Sequence, residues 1–599
     1  MSRCSAVIKL AGSLVTACLL TTAAHAVGAP SVKLENLRRG TSNWQLQNPA
    51  MQREIEGFAS LTSVSPGGTI EIFVNTSAPS YLVQVFRIGW YQGLGGRAAT
   101  GRRRIRGTVQ PPCTHAQSGA LSCTWTTPYA LRVRKNWASG IYLAKLTAGG
   151  TGPAAGKESY VIFVVRNDAS VSPYLYELAI TTYQAYNNWG GVSYYPSNAA
   201  VTQVVSFDRP YGNFVTTTFD TRSRHDPMNP NTGTTHIKPD RAIGAGLFFE
   251  WDVNMVRWLE REAYDVTYVT SIDLHQRGPE ILSRHQVLLD VGHDEYWPPD
   301  LFVSLRQARD SGMNLAFIGS NQGFHSIFLG CADPPTCLRP DRIMRTTALD
   351  TCIVNGVCPT AYPVSMCLDR SPSTGCVPGC ACVTLNGPGG TGVCAEDLSI
   401  CDESSSCFCQ NSIVFTSPGI RGSLIGLQAN LYPVQADLVV QNTAAVPWLF
   451  AGTGLQDGQS LPGLVGYEAD QLLMTSIGSL PDLGIAEYVP IARSPNPLLK
   501  GCSLANPANC ENWVTRPDRG FAGAAVYTAT SGAKVFSAGT LQWTWGLDSY
   551  SPNPAGLPTG VLAGLATPAW NAFDKSSRLS PVVQQMTANL LHEMAPTSP

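Results

Sequence analysis

Residues 286–318 place an apolar run, a polar turn, a helical run and a second apolar run in immediate succession. Gln286–Val291 reads as a buried strand, and it opens the stretch Leu288–Trp297, LLDVGHDEYW. Pro298, Pro299 and Asp300 follow, the spacing predicts a helix over Pro299–Ser311 ended by Gly312, and Asn314–Ile318 reads as the next strand. Strands alternating with helices call for a parallel sheet covered by helices on both faces. His293, Asp294 and Glu295 then sit where a strand empties into a helix start, the edge at which open α/β sheets bind ligands. Three such side chains in succession are costly to bury without a role.

The surrounding chain extends this pattern in one direction and breaks it in the other. From Tyr174 onward, Leu175–Thr182 and Val266–Val269 read as strands and Pro279–Ser283 as a short helix. Within residues 248–262, Phe248, Trp251, Met255, Trp258 and Leu259 recur at helical spacing and read as core. Strands return beyond Ile413 at Leu464–Asp470, Ala525–Thr528 and Lys534–Ala538, and Pro581–Glu593 reads as a terminal helix. Before Tyr174 the period is two. Thr69–Asn75, Tyr81–Trp90, Ile141–Leu146 and Ser159–Val165 are short strands separated by glycine turns, which predicts an immunoglobulin-like β-sandwich. The expected organisation is all-β over 27–168, with an N-terminal arm, and α/β over 169–599.

Charge and cysteine bound the setting. The 599 residues carry a net charge of −1, which argues against nucleic acid or an anionic membrane as the main partner. Arg3 and Lys9 precede the apolar run Leu10–Leu20, and small residues end at Ala24-His25-Ala26. This is the form of a secretory signal cleaved after Ala26, so a secreted or periplasmic location is expected. The run is too short to span a bilayer, and no other stretch is long and apolar enough. Of 18 cysteines, 16 remain after removal of residues 1–26, an even number in an exported chain and hence a disulfide pattern. Twelve of them crowd into Cys331–Cys409, read as a disulfide-rich insertion at 331–409. Metal binding by Cys380 and Cys382 or Cys407 and Cys409 is disfavoured by the lack of nearby histidine. Cys113 with Cys123, and Cys502 with Cys510, are spaced for local bridges.

Three constellations carry candidate chemistry. Tyr186 in TYQAYNNWGG, Tyr211 in SFDRPY and Glu295 would offer two phenolates and a carboxylate, hard oxygen donors suited to a ferric ion; the alternative is that the tyrosines are pocket or core aromatics. Gly319-Ser320-Asn321-Gln322-Gly323 follows a strand in the form of a nucleophile elbow. Its central Asn321 cannot attack a carbonyl but can donate to a substrate oxygen. Ser320, one place off, leaves a serine hydrolase as a further reading. In Tyr467-Glu468-Ala469-Asp470 either carboxylate is a candidate general base or part of a solvated strand end. His225, His236, His275, His285 and His325 have no spacing partner and read as surface or core residues.

Taken together, TTYQAYNNWGG, SFDRPY, VGHDEYW, GLVGYEAD and AGTLQWTWGLD resemble the large (beta) subunit of N,N-dimethylformamidase and its relatives over most of residues 60–595. The resemblance implies an α/β domain like that of class I glutamine amidotransferases, holding one ferric iron through Tyr186, Tyr211 and Glu295, with Tyr183 as the alternative to Tyr186. It implies His293 as a proton-transfer group beside the iron, and Asn321 and Glu468 lining the substrate pocket, Glu468 as base. The expected activity is iron-assisted hydrolysis of an amide C–N bond in a small molecule or peptide-like substrate; a homo-oligomer is compatible with it. Three features depart from the family: no small partner subunit is evident, an export signal suits extracellular polymers or peptides, and the insertion at 331–409 follows Asn321 closely. The rival expectation is a non-catalytic secreted binding protein that retains the fold.

Overall fold

The computed structural model describes residues 31–116, 119–194, 200–212, 242–331, 339–346, 382–384, 392–394, 418–473, 478–480, 483–495, 497–499, 513–515, 521–551 and 578–596. The expected signal at 1–26, the Cys502–Cys510 bridge and nearly all of the insertion lie outside these residues. Cys113 and Cys123 are bridged as expected, and Cys331 is disulfide-bonded.

Two sheets, antiparallel except for the short edge strand Ser63–Val64 that runs parallel to Val164–Val165, form most of the N-terminal part. One pairs Ile55–Ala59, Thr69–Thr76 and Tyr129–Arg132. The other runs through Glu158–Val165, Gly140–Ala148 and Ser80–Ile88, with Arg103–Arg106 also paired to Ser80–Ile88. Glu158–Val165 is buried at every position, which period-two alternation with one solvated face does not predict. The reason is that both faces are covered. Val161, Phe163 and Val165 enter the core between the two sheets, while Tyr160, Ile162 and Val164 enter the core of the α/β part. A boundary near residue 168 therefore divides the chain but not its packing. Arg87 of the large sheet and Glu260 of the α/β part seal this contact with a fully buried ion pair at 2.7 Å.

The α/β part is a twisted sheet whose five parallel strands lie in the order Val266–Thr270, Tyr174–Leu178, Val287–Gly292, Asn314–Gly319, Lys534–Ser537. The first two strands in sequence are swapped in space, so strand order reverses between Tyr174–Leu178 and Val287–Gly292, the switch point at which such sheets open a crevice. Antiparallel strands extend the sheet from Phe521–Ala529 through Ser460–Leu472 to Leu427–Val439. Leu289, Val291 and Ile318 face one core and Leu288, Leu315 and Phe317 the other, as strands covered on both sides require. The predicted core helix at 248–262 is two helices, Phe248–Trp251 and Val253–Arg261. No helix among the described residues is long and apolar enough to cross a membrane.

Two local expectations are corrected. The run Leu175–Thr182 is a strand only to Leu178, because Ile180–Ala185 turns into a helix held by Tyr183 N–H to Ala179 O and Tyr186 N–H to Thr182 O. The helix expected at Pro279 begins at Ser271, where the Thr270 hydroxyl and the Asp273 carboxylate form a capping box.

Candidate functional site

The switch point brings two loops together, and Thr182 joins them. Its hydroxyl accepts the Glu295 N–H at 2.9 Å and the Tyr296 N–H at 3.2 Å, and donates to Asp294 at 3.3 Å. Asp294 also accepts the Trp297 indole N–H at 2.7 Å, so each of its oxygens takes one hydrogen bond from the frame. Gly292, at φ 74°, supplies the left-handed turn out of the strand; a Cβ there would lie 2.5 Å from the Trp251 Cβ. Asn321 takes the same region at φ 66°, held by its N–H to the Asp470 carboxylate, which Arg421 pairs at 2.9 Å.

From this frame a chain of polar contacts runs through the interior. The Tyr186 hydroxyl donates to Glu295 at 2.6 Å. His293 Nε2 lies 3.3 Å from Glu295 and 3.3 Å from Glu468. The Asn321 amide donates to the same Glu468 oxygen at 2.7 Å. Glu468 arrives from the antiparallel extension because Ala469 bridges to Thr540, beyond the end of strand Lys534–Ser537. Five residues from four distant segments thus converge, all buried. His325, which the sequence reading passed over, completes the chain 3.4 Å from the other Glu295 oxygen. Its side chain is 29% exposed, so it is the member of the network that faces outward. A signal existed in its place four residues after Asn321, in a loop at the same sheet edge; Tyr296–Trp297 pairs with His325–Ser326 in parallel.

Charge is unevenly shared along the chain. Burial disfavours a charged His293, but the Glu468 and Glu295 carboxylates outweigh it and push the imidazole up to about 10. Burial works against an ionised Glu295, yet His293, His325 and the Tyr186 hydroxyl hold it below the usual carboxylate range. Burial dominates at Glu468 and raises it despite His293. At neutral pH the site therefore holds an imidazolium beside an ionised Glu295, with Glu468 the more readily protonated carboxyl.

The remaining candidates lie apart. Tyr183 donates to Asp252, which also accepts from Tyr176. Tyr211 packs edge-on against Tyr183 at 6.4 Å and lines a small cavity with Ile180, Phe207 and Arg342. No hydrogen bond joins it to Tyr186 or Glu295 among the described residues. The buried Ser320 hydroxyl bonds to no described residue, so no histidine among the described residues activates it. A second buried group was missed entirely. Glu177 and Asp290, register partners on adjacent strands, stand with Asp294 so that one oxygen of each lies within 4.8 Å of the others. This acidic triad could hold a metal ion. Its signal was an acidic residue inside each of two apolar strands, YLYEL and VLLDVG.

Residues 82–351 and 414–556 match the family described as N,N-dimethylformamidase beta subunit-like, C-terminal. The chain belongs to this family. The match spans both the large sandwich sheet and the α/β part, and the residues it skips, 352–413, fall almost wholly in the cysteine-rich stretch. The network of Tyr186, His293, Glu295, Asn321 and Glu468 lies within the matched segments of this dimethylformamidase-like chain. No curated protein matches it.

Proposed function

We propose that this protein is a metal-assisted amidohydrolase whose centre is the Tyr186–Glu295–His293–Glu468–Asn321 network. The observation that carries the reading is that one unbroken chain of contacts joins a phenol, two carboxyls, an imidazole and an amide donor at the sheet's switch point. Iron is the ion proposed, and the donors fit it in part. Tyr186 and Glu295 are hard oxygen donors in contact, and the His293 and His325 imidazoles flank the carboxylate. Tyr211, the second tyrosine implied by the family, lies outside this contact network, so the reading rests on Tyr186 and Glu295.

What iron supplies when bound is Lewis acidity toward the amide oxygen. The protein's own groups handle the proton. Glu468, raised by burial, accepts a proton from the attacking water and is oriented for it by Asn321. His293, 3.3 Å from Glu468, relays the proton that Glu468 takes from water to the leaving nitrogen. Asp294, bound to Thr182 and Trp297, fixes the loop that carries both His293 and Glu295.

The test is metal analysis and a visible spectrum of the purified full chain, with hydrolysis of dimethylformamide and short N-formyl and N-acetyl amides followed in parallel. Expected are bound iron and a tyrosinate-to-iron charge-transfer band, lost in Tyr186→Phe and in Glu295→Ala. Glu468→Gln should keep the band and lower hydrolysis by about 10²–10⁴-fold. A folded protein that stays colourless and metal-free after iron reconstitution ends the iron reading. Tyr211→Phe decides separately whether that residue contributes to the band.

A further inference from the structure

Residues 72–157 hold 11 of the chain's 41 lysines and arginines and none of its 42 aspartates and glutamates. Such segregation, in a protein of net charge −1, is not a property of the whole surface. The 11 divide by position. Arg87, Arg97, Lys145 and Lys157 pair with Glu260, Glu35, Glu158 and Glu54, acids that lie outside the segment. These four knit the sheets to their neighbours. The other seven have no acidic partner among the described residues, and all are exposed.

Those seven stand in two rows at one place. Arg102, Arg103, Arg104 and Arg106 lie on or beside the strand Arg103–Arg106, and Arg132, Arg134 and Lys135 lie at and just beyond the end of Tyr129–Arg132. Each strand is the edge of a different sheet of the sandwich. Between them opens a recess of about 380 Å³, lined by Arg103, Arg132, Arg134 and Lys135, with Thr100 and Tyr129 on its walls. That volume is in the range of sites that take a ligand of a few rings. Arg102 and Arg104 add only weak contacts to Gln84 and Ser80, at 3.4 and 3.5 Å, so their charge also remains available.

We propose that this recess binds a linear anionic polysaccharide, its carboxylate or sulfate groups taken by Arg103, Arg132, Arg134 and Lys135. Arginine favours such groups because its planar fork meets their oxygens two at a time. Three observations select a glycan among polyanions. Tyr129–Arg132 has no strand beyond it among the described residues, so its outward backbone carbonyls are open to donors, which sugar hydroxyls supply and polyphosphate does not. Single-stranded nucleic acid needs exposed aromatic faces for its bases. Here Trp137 is buried and stacked on Tyr142 at 5.0 Å, and Tyr129 is half-buried. An anionic membrane surface calls for a convex or flat cationic face, and these charges line a recess.

The experiment titrates the full-length protein with heparin, polygalacturonate, inorganic polyphosphate and an oligothymidylate at about 50 and about 200 mM salt. Expected is binding of at least one of the two glycans that weakens with salt and exceeds binding of polyphosphate and oligonucleotide. Each arginine lost removes a charge-assisted hydrogen bond, so Arg103→Gln/Arg132→Gln/Arg134→Gln should weaken that glycan by at least about tenfold. Lys33→Gln/Arg39→Gln, cationic and exposed elsewhere, should leave it unchanged. All five positions are exposed, so thermal midpoints near that of the unsubstituted protein should certify folding. Failure of both glycans to bind, tighter binding of polyphosphate or oligonucleotide, or equal binding by the triple variant would each overturn the proposal.

Discussion

Glu260→Ala is expected to cost about 3–5 kcal/mol of stability, because it leaves a guanidinium buried without its counter-charge. Arg87 is wholly buried and donates to both Glu260 oxygens, at 3.0 and 2.7 Å. Glu260 also accepts from Asn36 and from the Tyr268 hydroxyl, so one carboxylate ties the N-terminal arm, the large sandwich sheet and the α/β part. After truncation Arg87 keeps only the Ser139 carbonyl and neutral acceptors nearby. The pair itself need not be strongly stabilising. Removing two charges from water offsets much of their attraction, so Arg87→Met/Glu260→Leu should lose far less than the single variant. Calorimetry on the two singles and the double gives the coupling energy. A Glu260→Ala midpoint within a degree of the unsubstituted protein would contradict the account. Because the interface core is shared, the two parts should melt together in the unsubstituted protein and separate in Glu260→Ala.

The elements that sequence reasoning recovered were those whose apolar pattern is plain. Val287–Gly292 and Asn314–Gly319, covered on both sides, are continuous apolar runs, Thr69–Thr76 alternates, and Pro299–Asp310 carries a helical stripe, and all four fall within a residue or two of their expected bounds. Ile180–Ala185 failed because its local preference misleads. Its isoleucine and threonines favour strand, and what bends it is the Thr182 hydroxyl reaching backbone groups more than a hundred residues away. Pro279 and Gly278 masked the helix Ser271–Leu282, which tolerates them by a kink at Arg277 and by packing the glycine under Ser304. At the site, the turn His293–Glu295 was legible because three polar residues end an apolar strand. His325 was not, because its meaning lies in a contact with Glu295 that no spacing encodes. The family likeness grouped Tyr186 and Tyr211 with Glu295; the fold sets Tyr186 against Glu295 and packs Tyr211 against Tyr183.

Glu177→Gln and Asp290→Asn should each stabilise protein stripped of divalent cations at pH 7–8, by up to about 1.4 kcal/mol for each pH unit above the unfolded carboxyl range. Neither carboxyl has a hydrogen-bond partner among the described residues, and only other acids bear on them: Asp290, Asp294 and Asp273 on Glu177, Asp294 and Asp252 on Asp290. Burial, reinforced by those acids, raises both well above the carboxylate range. The sign of the pH dependence follows. Below the unfolded carboxyl range, about 4, both states are protonated and the groups cost nothing through ionisation. Above it the unfolded chain releases protons that the folded chain retains, so stability falls as pH rises toward the folded values. Glutamine and asparagine do not titrate. Each variant's advantage should therefore be negligible near pH 4 and grow toward pH 8, read as a difference in thermal midpoints across that series. A hard divalent ion would reverse the result. Calcium–oxygen bonds of about 2.4 Å span about 4.8 Å across the ion, the limit within which the three carboxyl oxygens lie. With calcium or magnesium present, a variant less stable than the unsubstituted protein would mean that the triad is a metal site; an unchanged advantage would mean that its charge is held in check by protons alone.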